Sequence, residues 1–220
     1  AVVYALTKSE AKVIDSFDEI SAIGHRIVQG GSIFPESCLI TPDVLDKIEQ
    51  LGALAPLHNP AHVLAIRACI KTFGDKIPQV AVFDTSFHQT MPPKAYMYPL
   101  PYEYYEKYGV RKYGAHGTSH RFVSDRVAAI EGKPKKDIKI ITCHLGNGCS
   151  ITAIQGGVCV DTSMGFTPLD GFMMGTRTGT LDPSALTYIA EKENLSPADV
   201  NRICNKESGM LGISGISNDN

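Results

Sequence analysis

Two arginines stand in glycine-flanked segments of the chain. Arg26 belongs to the stretch "GHRIVQGG" and Arg177 to the stretch "MGTRTG". Glycine lets the backbone approach a ligand closely, and a planar guanidinium binds a carboxylate or a phosphate through two parallel hydrogen bonds. The two segments therefore predict anion binding, although an ordinary surface arginine would explain either residue alone.

Histidines form two pairs with a spacing of four residues, in "HNPAH" and in "HGTSH". Such a pair can share one helix face and bind zinc, but neither pair contains the glutamate of a zinc-protease helix. His58 and His116 each precede a predicted helix start. A role beside a helix N-terminus is therefore favoured over metal binding, and a metal-dependent hydrolase is the least favoured class of function.

The apolar run "QVAVFDTSF" predicts a continuous buried strand, and Asp84 stands at its C-terminal end. Ligands of open α/β sheets bind at the carboxyl ends of the strands, which makes Asp84 a candidate for magnesium-phosphate or acid/base chemistry. A turn or a helix cap is the commoner use of such an aspartate. The residues alone leave both interpretations open.

A glycine-rich loop interrupts the stretch "KIITCHLGNGCSITAI", residues 139–154, at Gly146, Asn147 and Gly148. Asn-Gly favours a type I′ hairpin turn, which needs positive φ at two positions. The additional glycine would also let several backbone N–H groups face a phosphate. By itself, the loop favours a plain hairpin over a phosphate site.

The elements that position these groups alternate between helix and strand. Helices are predicted from proline and glycine signals, and three antiparallel strands from the two turns near Asn147 and Gly156. The predicted strand ends at Gly30-Gly31, and the first two predicted helices run from Thr41-Pro42 to Gly52 and from Asn59-Pro60 to Gly74. The apolar face of the second helix is predicted to contain Val63, Leu64, Ile66 and Ile70. A later helix is entered through Thr118 or Ser119 and ended by Gly132, and two more begin at about Pro183 and Pro197.

Composition narrows the classes of protein. The 220 residues are 43% hydrophobic and carry 21 Lys+Arg against 23 Asp+Glu, so no basic surplus favours nucleic acid or an anionic membrane. Six cysteines without a CxxC pair indicate reduced thiols and a cytoplasmic protein. Neither an apolar run of membrane-spanning length nor a signal-peptide pattern is present in the sequence.

Seven segments, in order, resemble the signature segments of the acetate kinase and propionate kinase family. They are "GHRIVQGG", "APLHNP", "FDTSFHQTMP", "YGAHGTSH", "CHLGNG", "VDTSMGFTPLDGFMMGTRTG" and "GISGIS". The resemblance implies an α/β fold of the actin-like ATPase (ASKHA, ribonuclease H-like) type, with two domains closing on ATP and a short carboxylic acid. Residues 1–86 would then belong to the acid-binding domain and residues 87–220 to the nucleotide-binding domain, each incomplete in this chain. It also implies a homodimer.

The resemblance assigns catalytic roles to single positions. Arg26 resembles the arginine that holds the acid's carboxylate, Arg177 the one on the transferring phosphoryl group, and His116 the histidine that donates to its oxygens, with His58 in support. Asp84 resembles the family's catalytic aspartate. Because a carboxylic acid is already ionised at pH 7, it has no proton to lose, and we expect Asp84 to position magnesium through water, or the substrate.

Binding roles follow from the same resemblance. An apolar wall around the acid's methyl group is implied for Val28, Leu57 and Pro168. The glycine loop becomes a hairpin and a phosphate cradle at once, and the nucleotide-binding residues implied are His144, Leu145, Gly146, Asn147, Gly148 and Asp219. No direct metal ligand is expected in this stretch, because the family's magnesium-binding Asn and Glu belong to its terminal segments.

Three positions depart from the family pattern. Ala115 stands where phenylalanine is usual, which predicts a wider acyl pocket, while Gln29 replaces a usual histidine and Cys149 a common serine. The family's first phosphate loop and its adenosine loop fall outside the 220 residues, so we expect this stretch alone to be inactive. The alternative to a kinase is therefore a non-catalytic or substrate-binding module.

Overall fold

The computed structural model describes residues 2–10, 12–56, 58–74 and 76–219. The chain forms two compact units, one from the described residues of 1–29 and 36–83, the other from those of 30–35 and 84–219. Within the described residues, no helix is both long and apolar enough to cross a membrane. The units change between Phe83 and Asp84, and the domain boundary at residue 86 stays a prediction.

Unit 1 is built on a three-stranded sheet with β3 at its centre, parallel to β1 and antiparallel to β2. Its elements are α1 (Val2–Thr7), β1 (Ile23–Ile27), β2 (Cys38–Leu39), α2 (Pro42–Gln50), α3 (Asn59–Phe73) and β3 (Gln79–Phe83), with short 3-10 turns at Phe17–Glu19 and Leu51–Ala53. The core of the unit contains Ile27, Ile48 and Ile66, all completely buried.

Both predicted helices of unit 1 begin where their local signals indicate, but α2 ends at Gln50 and passes into the 3-10 turn that contains Gly52, the predicted end, whereas α3 ends at Gly74 as predicted. The Thr41 side chain accepts a hydrogen bond from the Val44 backbone N–H at the start of α2, and Gly74 ends α3 with φ of 72°. The predicted lining of α3 was wrong in one place, since Leu64 is 71% exposed. Val63 and Ile66, which belong to the predicted lining, are buried.

A buried asparagine joins the start of α3 to β1 and α2. The Asn59 Nδ2 group donates to the backbone oxygens of Gln29, at 3.0 Å, and Ile48, at 3.3 Å. The Gln29 backbone N–H donates in return to Asn59 Oδ1 at 3.3 Å. These bonds fix the N-terminus of α3, where His58 is the N-cap residue.

Unit 2 contains an antiparallel sheet in the order β4-β5-β6. Its elements are a 3-10 turn (Ser86–Thr90), α4 (Pro93–Tyr96), α5 (Tyr102–Tyr108), α6 (Gly117–Ile130), a 3-10 turn (Lys135–Asp137), β4 (Lys139–His144), β5 (Ser150–Gln155), β6 (Val158–Thr162), α7 (Pro183–Glu193), α8 (Pro197–Arg202), a π-helical turn (Ile203–Glu207) and α9 (Gly209–Ser214). The predicted three-stranded meander is therefore confirmed.

The type I′ turn lies in the second hairpin rather than in the first. Gly156 and Gly157, between β5 and β6, have φ of 63° and 83°. Asn147 and its two neighbouring glycines have no φ in the left-handed region. The prediction of a type I′ turn at Asn147 was wrong, because β4 and β5 are joined by five residues, Leu145–Cys149, and not by two.

Helix α6 begins two or three residues earlier than the sequence predicts. His116, not Thr118 or Ser119, is its N-cap residue and has left-handed backbone angles, φ 59° and ψ 22°. The Gly117 backbone N–H donates to the Asp84 backbone oxygen at 2.9 Å, which anchors the helix start within unit 2. A β-carbon on Gly117 would overlap that oxygen.

Candidate active site

The loop Leu145–Cys149 borders a cavity of about 630 Å³ in unit 2. Phe172, Met173, Asn218 and Asp219 also line it. The Gly175 backbone N–H donates to the Asn147 backbone oxygen at 3.3 Å, and Asn218 Nδ2 donates to Asn147 Oδ1 at 3.1 Å. Hydrogen bonds from Gly175 and Asn218, both distant in the sequence, therefore fix the position of Asn147 in the loop.

Arg177 lies flat against this loop. A β-carbon on Gly148 would sit 3.2 Å from Arg177 Nη1, so the glycine leaves room for the guanidinium. Arg177 Nη1 donates to the Pro168 backbone oxygen at 2.9 Å. Within the described residues no carboxylate reaches Arg177 at ion-pair distance. Burial lowers the pKa of this half-buried guanidinium, because it removes water that would stabilise the positive charge. An anion bound beside the guanidinium would stabilise that charge instead.

His116 lies at the base of the same loop. Its ring stacks on that of His144, the last residue of β4, with ring centroids 4.0 Å apart. Its Nδ1 is 2.8 Å from the hydroxyl of Ser150, the first residue of β5. A non-glycine residue with positive φ is uncommon and points to a functional constraint. The two strand ends that carry the loop therefore also fix the ring of His116.

Two further histidines are buried behind His116. Burial lowers the pKa of His88 to about 4 and that of His120 to about 3, so both imidazoles are neutral at pH 7. His88 Nε2 donates to the Ala115 backbone oxygen at 2.8 Å. Its Nδ1, 3.2 Å from Cys159 Sγ, therefore accepts the S–H of a thiol whose pKa burial raises to about 12.

The other residues predicted from the sequence divide between the units. Asp84 is 2% exposed at the start of unit 2, whereas Pro168 is partly buried in the same unit and accepts from Arg177. Arg26 is exposed on β1, in unit 1, with Val28 partly buried just after that strand. His58, also in unit 1, is partly buried before α3. Leu57 lies outside the described residues.

Ala115 is 2% exposed and belongs to a buried apolar cluster. Its partners are Cys149, Met164 and Met174, with Phe172 packed against them. Both methionines are completely buried. Flexible methionine side chains fill irregular space, so the room left by the small residue is occupied, at least in part, by neighbouring sulfur side chains.

The HGTSH histidines have hydrogen-bonding partners within the fold. His120 contacts the hydroxyls of Thr142 and Ser150, both at 2.7 Å. Across the part of the chain that the structure describes, no group of three or more His, Cys, Asp or Glu side chains is arranged to hold a metal ion.

Comparison with known proteins identifies the family to which the chain belongs. The sequence model of the acetokinase family matches residues 1–220. The chain belongs to the acetokinase family. This confirms the family that the seven segments predicted.

Individual relatives agree with the acetokinase assignment. Acetate kinase from Thermoanaerobacterium thermosaccharolyticum is 58% identical over 218 residues, 99% of this chain and 54% of the relative. The crystal structure of Porphyromonas gingivalis acetate kinase matches with a TM-score of 0.93 and 49% identity, over 99% of this chain and 54% of that one. A propionate kinase from Francisella tularensis matches with a TM-score of 0.88 and 53% identity, over 92% and 52%.

These matches confirm the predicted fold class, an α/β fold of the actin-like ATPase type. The chain spans about half the length of the acetokinase relatives that it matches. Among the described residues, each of the two sheets has three strands.

Sequence reasoning missed Ser150, Thr142 and Ser119 as neighbours of the acetokinase histidines. Ser119 Oγ lies 2.9 Å from His144 Nδ1, so it holds the ring that stacks on His116. The four-residue spacing of HGTSH does point to His120 as a companion of His116. No local pattern points to Ser150, because its contact with α6 exists only once the strand and the helix have packed.

Proposed function

We propose that the protein is a short-chain carboxylate kinase, which transfers the γ-phosphoryl group of ATP to acetate or propionate. One observation carries the proposal: Arg177, without a carboxylate partner among the described residues, lies flat on a glycine loop whose base is His116. A cation, exposed backbone and a histidine beside one glycine loop suit the charge of a transferring phosphoryl group. The names of the relatives support the substrate class.

The reaction is an in-line displacement. An oxygen of the ionised carboxylate attacks the γ-phosphorus, and the bond from that phosphorus to the bridging oxygen of ADP breaks. Acyl phosphate and ADP result, and the same steps run in reverse. The main electrostatic obstacle is repulsion between two anions, which Arg177 offsets on the phosphoryl group and Arg26 on the carboxylate. His116 donates a hydrogen bond to the phosphoryl oxygens.

Nucleotide binding is assigned to the cavity of unit 2. The loop from His144 to Gly148 faces the phosphates, and Asp219, on the cavity wall, contacts the nucleoside. The family's Mg²⁺ would neutralise charge on the phosphates, and its direct protein ligands are expected in the family's terminal segments. No set of three protein ligands for it occurs among the described residues, and Asp84 is the residue we assign to orient its water shell.

The acid pocket is assigned to Val28, Leu57, His58 and Pro168 through their motifs. Acetate and propionate are both candidates, because relatives of both names match the chain. All six cysteines lie within the described residues and none forms a disulfide, which supports a reducing compartment such as the cytoplasm. The homodimer is proposed from the family alone.

The test is kinetic, with the full-length protein and hydroxamate trapping of acyl phosphate. Arg177→Ala should lower kcat by on the order of 10²-fold, because it removes charge stabilisation concentrated in the transition state. Arg26→Ala should also raise the KM for the acid. Arg67→Ala, which removes only an exposed ion pair with Glu49, is the matched surface control and should change neither constant.

Two results would count against the proposal. Near-normal turnover and affinity in either arginine variant would remove the role given to that residue. Robust binding of nucleotide and acid by the full-length protein without acyl phosphate formation would favour the binding module. The 220 residues alone, which span about half of the relatives, should show negligible turnover.

A further inference from the structure

A line of buried polar side chains leads from the interior of unit 2 to His116. The Thr142 hydroxyl lies 2.7 Å from His120 Nδ1, and His120 Nε2 lies 2.7 Å from the Ser150 hydroxyl. That hydroxyl lies 2.8 Å from His116 Nδ1. Thr142, His120 and Ser150 are at most 3% exposed. The three side chains form a continuous chain of hydrogen bonds, with His116 at its end nearest the glycine loop.

The direction of the chain follows from its buried end. In the described part of the protein, His120 Nδ1 is the only hydrogen-bond partner of the Thr142 hydroxyl. If His120 donated at Nδ1, the Thr142 proton would be buried without an acceptor, which costs about 1–3 kcal/mol. Thr142 therefore donates, and His120 Nδ1 accepts.

Each later proton then has one position. His120 is neutral, because burial lowers its pKa to about 3, and a neutral imidazole has a single N–H. With Nδ1 accepting, that proton is on Nε2 and is donated to Ser150. Ser150 is completely buried and has one hydroxyl proton, which it donates to His116 Nδ1.

We propose that Thr142, His120 and Ser150 are positioning residues that hold His116 in one tautomer, with its ring proton on Nε2. The hydrogen bond at one imidazole nitrogen decides which atom carries the proton. Resting on the proposed function, the consequence is that neutral His116 presents an N–H donor to the phosphoryl group and does not transfer a proton to it. The left-handed backbone and the His144 stack fix the same ring.

A purely structural role is the competing explanation. Buried hydroxyls on a sheet also satisfy one another without any link to a site, as Thr152 and Thr162 do at 2.8 Å. Thr152 lies directly across from Thr142 in the sheet and is equally buried. It supplies a matched control, because its hydroxyl is bonded to Thr162 and not to a histidine.

The experiment is ¹⁵N NMR of the full-length protein with labelled histidine, with His116→Gln and His120→Gln used for assignment. In the parent protein, both His116 and His120 should be protonated at Nε2 and unprotonated at Nδ1. Ser150→Ala should give His116 a mixture of the two tautomers, while Thr152→Val should leave its ring signals unchanged. A proton on Nδ1 of either histidine in the parent would overturn the proposal, even if Ser150→Ala fails to fold.

Kinetics separate this proposal from the proposed function. Ser150→Ala should lower kcat by on the order of tenfold with little change in the KM for the acid, as expected for a residue that orients a catalytic group. If the tautomer of His116 is unchanged in Ser150→Ala, the proposed role of the hydrogen-bond chain is refuted, whatever the activity of the variant. A parent protein with the expected tautomers but no kinase activity would instead refute the proposed function. The proposal that the hydrogen-bond chain fixes the tautomer of His116 would then still hold.

Discussion

Individual residues of unit 2 carry most of the chemistry that the fold makes available. Arg177 is a half-buried cation on the glycine loop, and His116 is a non-glycine residue in a left-handed conformation. Both features cost free energy in an empty protein, by desolvation and by backbone strain. A bound anion would offset the first cost, which is why these two residues are central to the proposed function.

Ala115 allows a prediction on specificity. Burying one more methylene of substrate contributes about 0.8 kcal/mol, or roughly fourfold in kcat/KM, where room exists. If the small side chain widens the acyl pocket, the full-length enzyme should use propionate at least as well as acetate. The measurement is kcat/KM for acetate, propionate and butyrate in the parent and in Ala115→Phe.

The packing around Ala115 adds a second readout for the same substitution. Because Met164 and Met174 fill the adjacent space, Ala115→Phe should overpack the cluster and lower the free energy of unfolding by about 1–3 kcal/mol. Ala129→Phe, on the exposed side of α6, should lower it little. A strong acetate preference that the phenylalanine leaves unchanged would remove Ala115 from the specificity argument.

At the scale of elements, β4 and the first half of β5 turn polar side chains inward. Thr142 on β4 and Ser150 and Thr152 on β5 are at most 3% exposed, while Ile141 is 73% exposed. Alternation in a strand normally places the apolar side inside. The inversion is explained here by α6, whose His120 meets the inward hydroxyls and satisfies two of them.

The contact between Asp84 and the start of α6, both in unit 2, gives a prediction for Gly117. A β-carbon there would overlap the Asp84 backbone oxygen, so Gly117→Ala must shift the start of α6 and with it His116. We expect the free energy of unfolding to fall by about 1–3 kcal/mol, although alanine is intrinsically the better helix former. Turnover should fall as well.

Gly24→Ala is the control for this change. Gly24 lies on β1 and has open space where its β-carbon would be, so the same substitution should have little effect on either quantity. Urea unfolding and hydroxamate assays measure both. Wild-type stability and activity in Gly117→Ala would show that the close approach to Asp84 does not fix α6.

At the scale of the whole molecule, acid sensitivity follows from the two buried neutral histidines. The pKa is lowered to about 4 in His88 and about 3 in His120, from 6.5 in each. At pH values between the lowered pKa values of the folded state and the ordinary value of the unfolded state, the unfolded chain binds more protons than the folded one. The free energy of unfolding therefore rises with pH in this range. The contribution is fully present above about pH 6.5 and is lost as pH falls through the folded values.

We therefore expect the free energy of unfolding to fall by on the order of a few kcal/mol between pH 7 and pH 4, beyond the loss from carboxylates. Urea titrations at a series of pH values measure it. His88→Gln should flatten the slope between pH 4 and pH 6.5, whereas Thr152→Val should lower stability without changing that slope. An unaltered slope in His88→Gln would mean that His88 is not neutral in the folded protein.

Much of this protein was determined by its sequence alone, where local interactions decide. Thr41-Pro42 and Gly74 set helix boundaries because capping bonds and backbone restrictions act within a few residues. The ordered motifs identified the family and its fold class because each motif retains the residue types of a functional segment. Arg177 and the glycine loop were found in the same way.

Other features were decided only by tertiary structure. Asn-Gly favours a two-residue turn locally, yet bonds from Gly175 and Asn218 hold Asn147 in a wider loop. The start of α6 depends on the Asp84 backbone oxygen, which is distant in the sequence. Ser150 became a neighbour of His116 only through packing of β5 against α6. In each case the partner lies far along the chain, where short-range patterns carry no information about it.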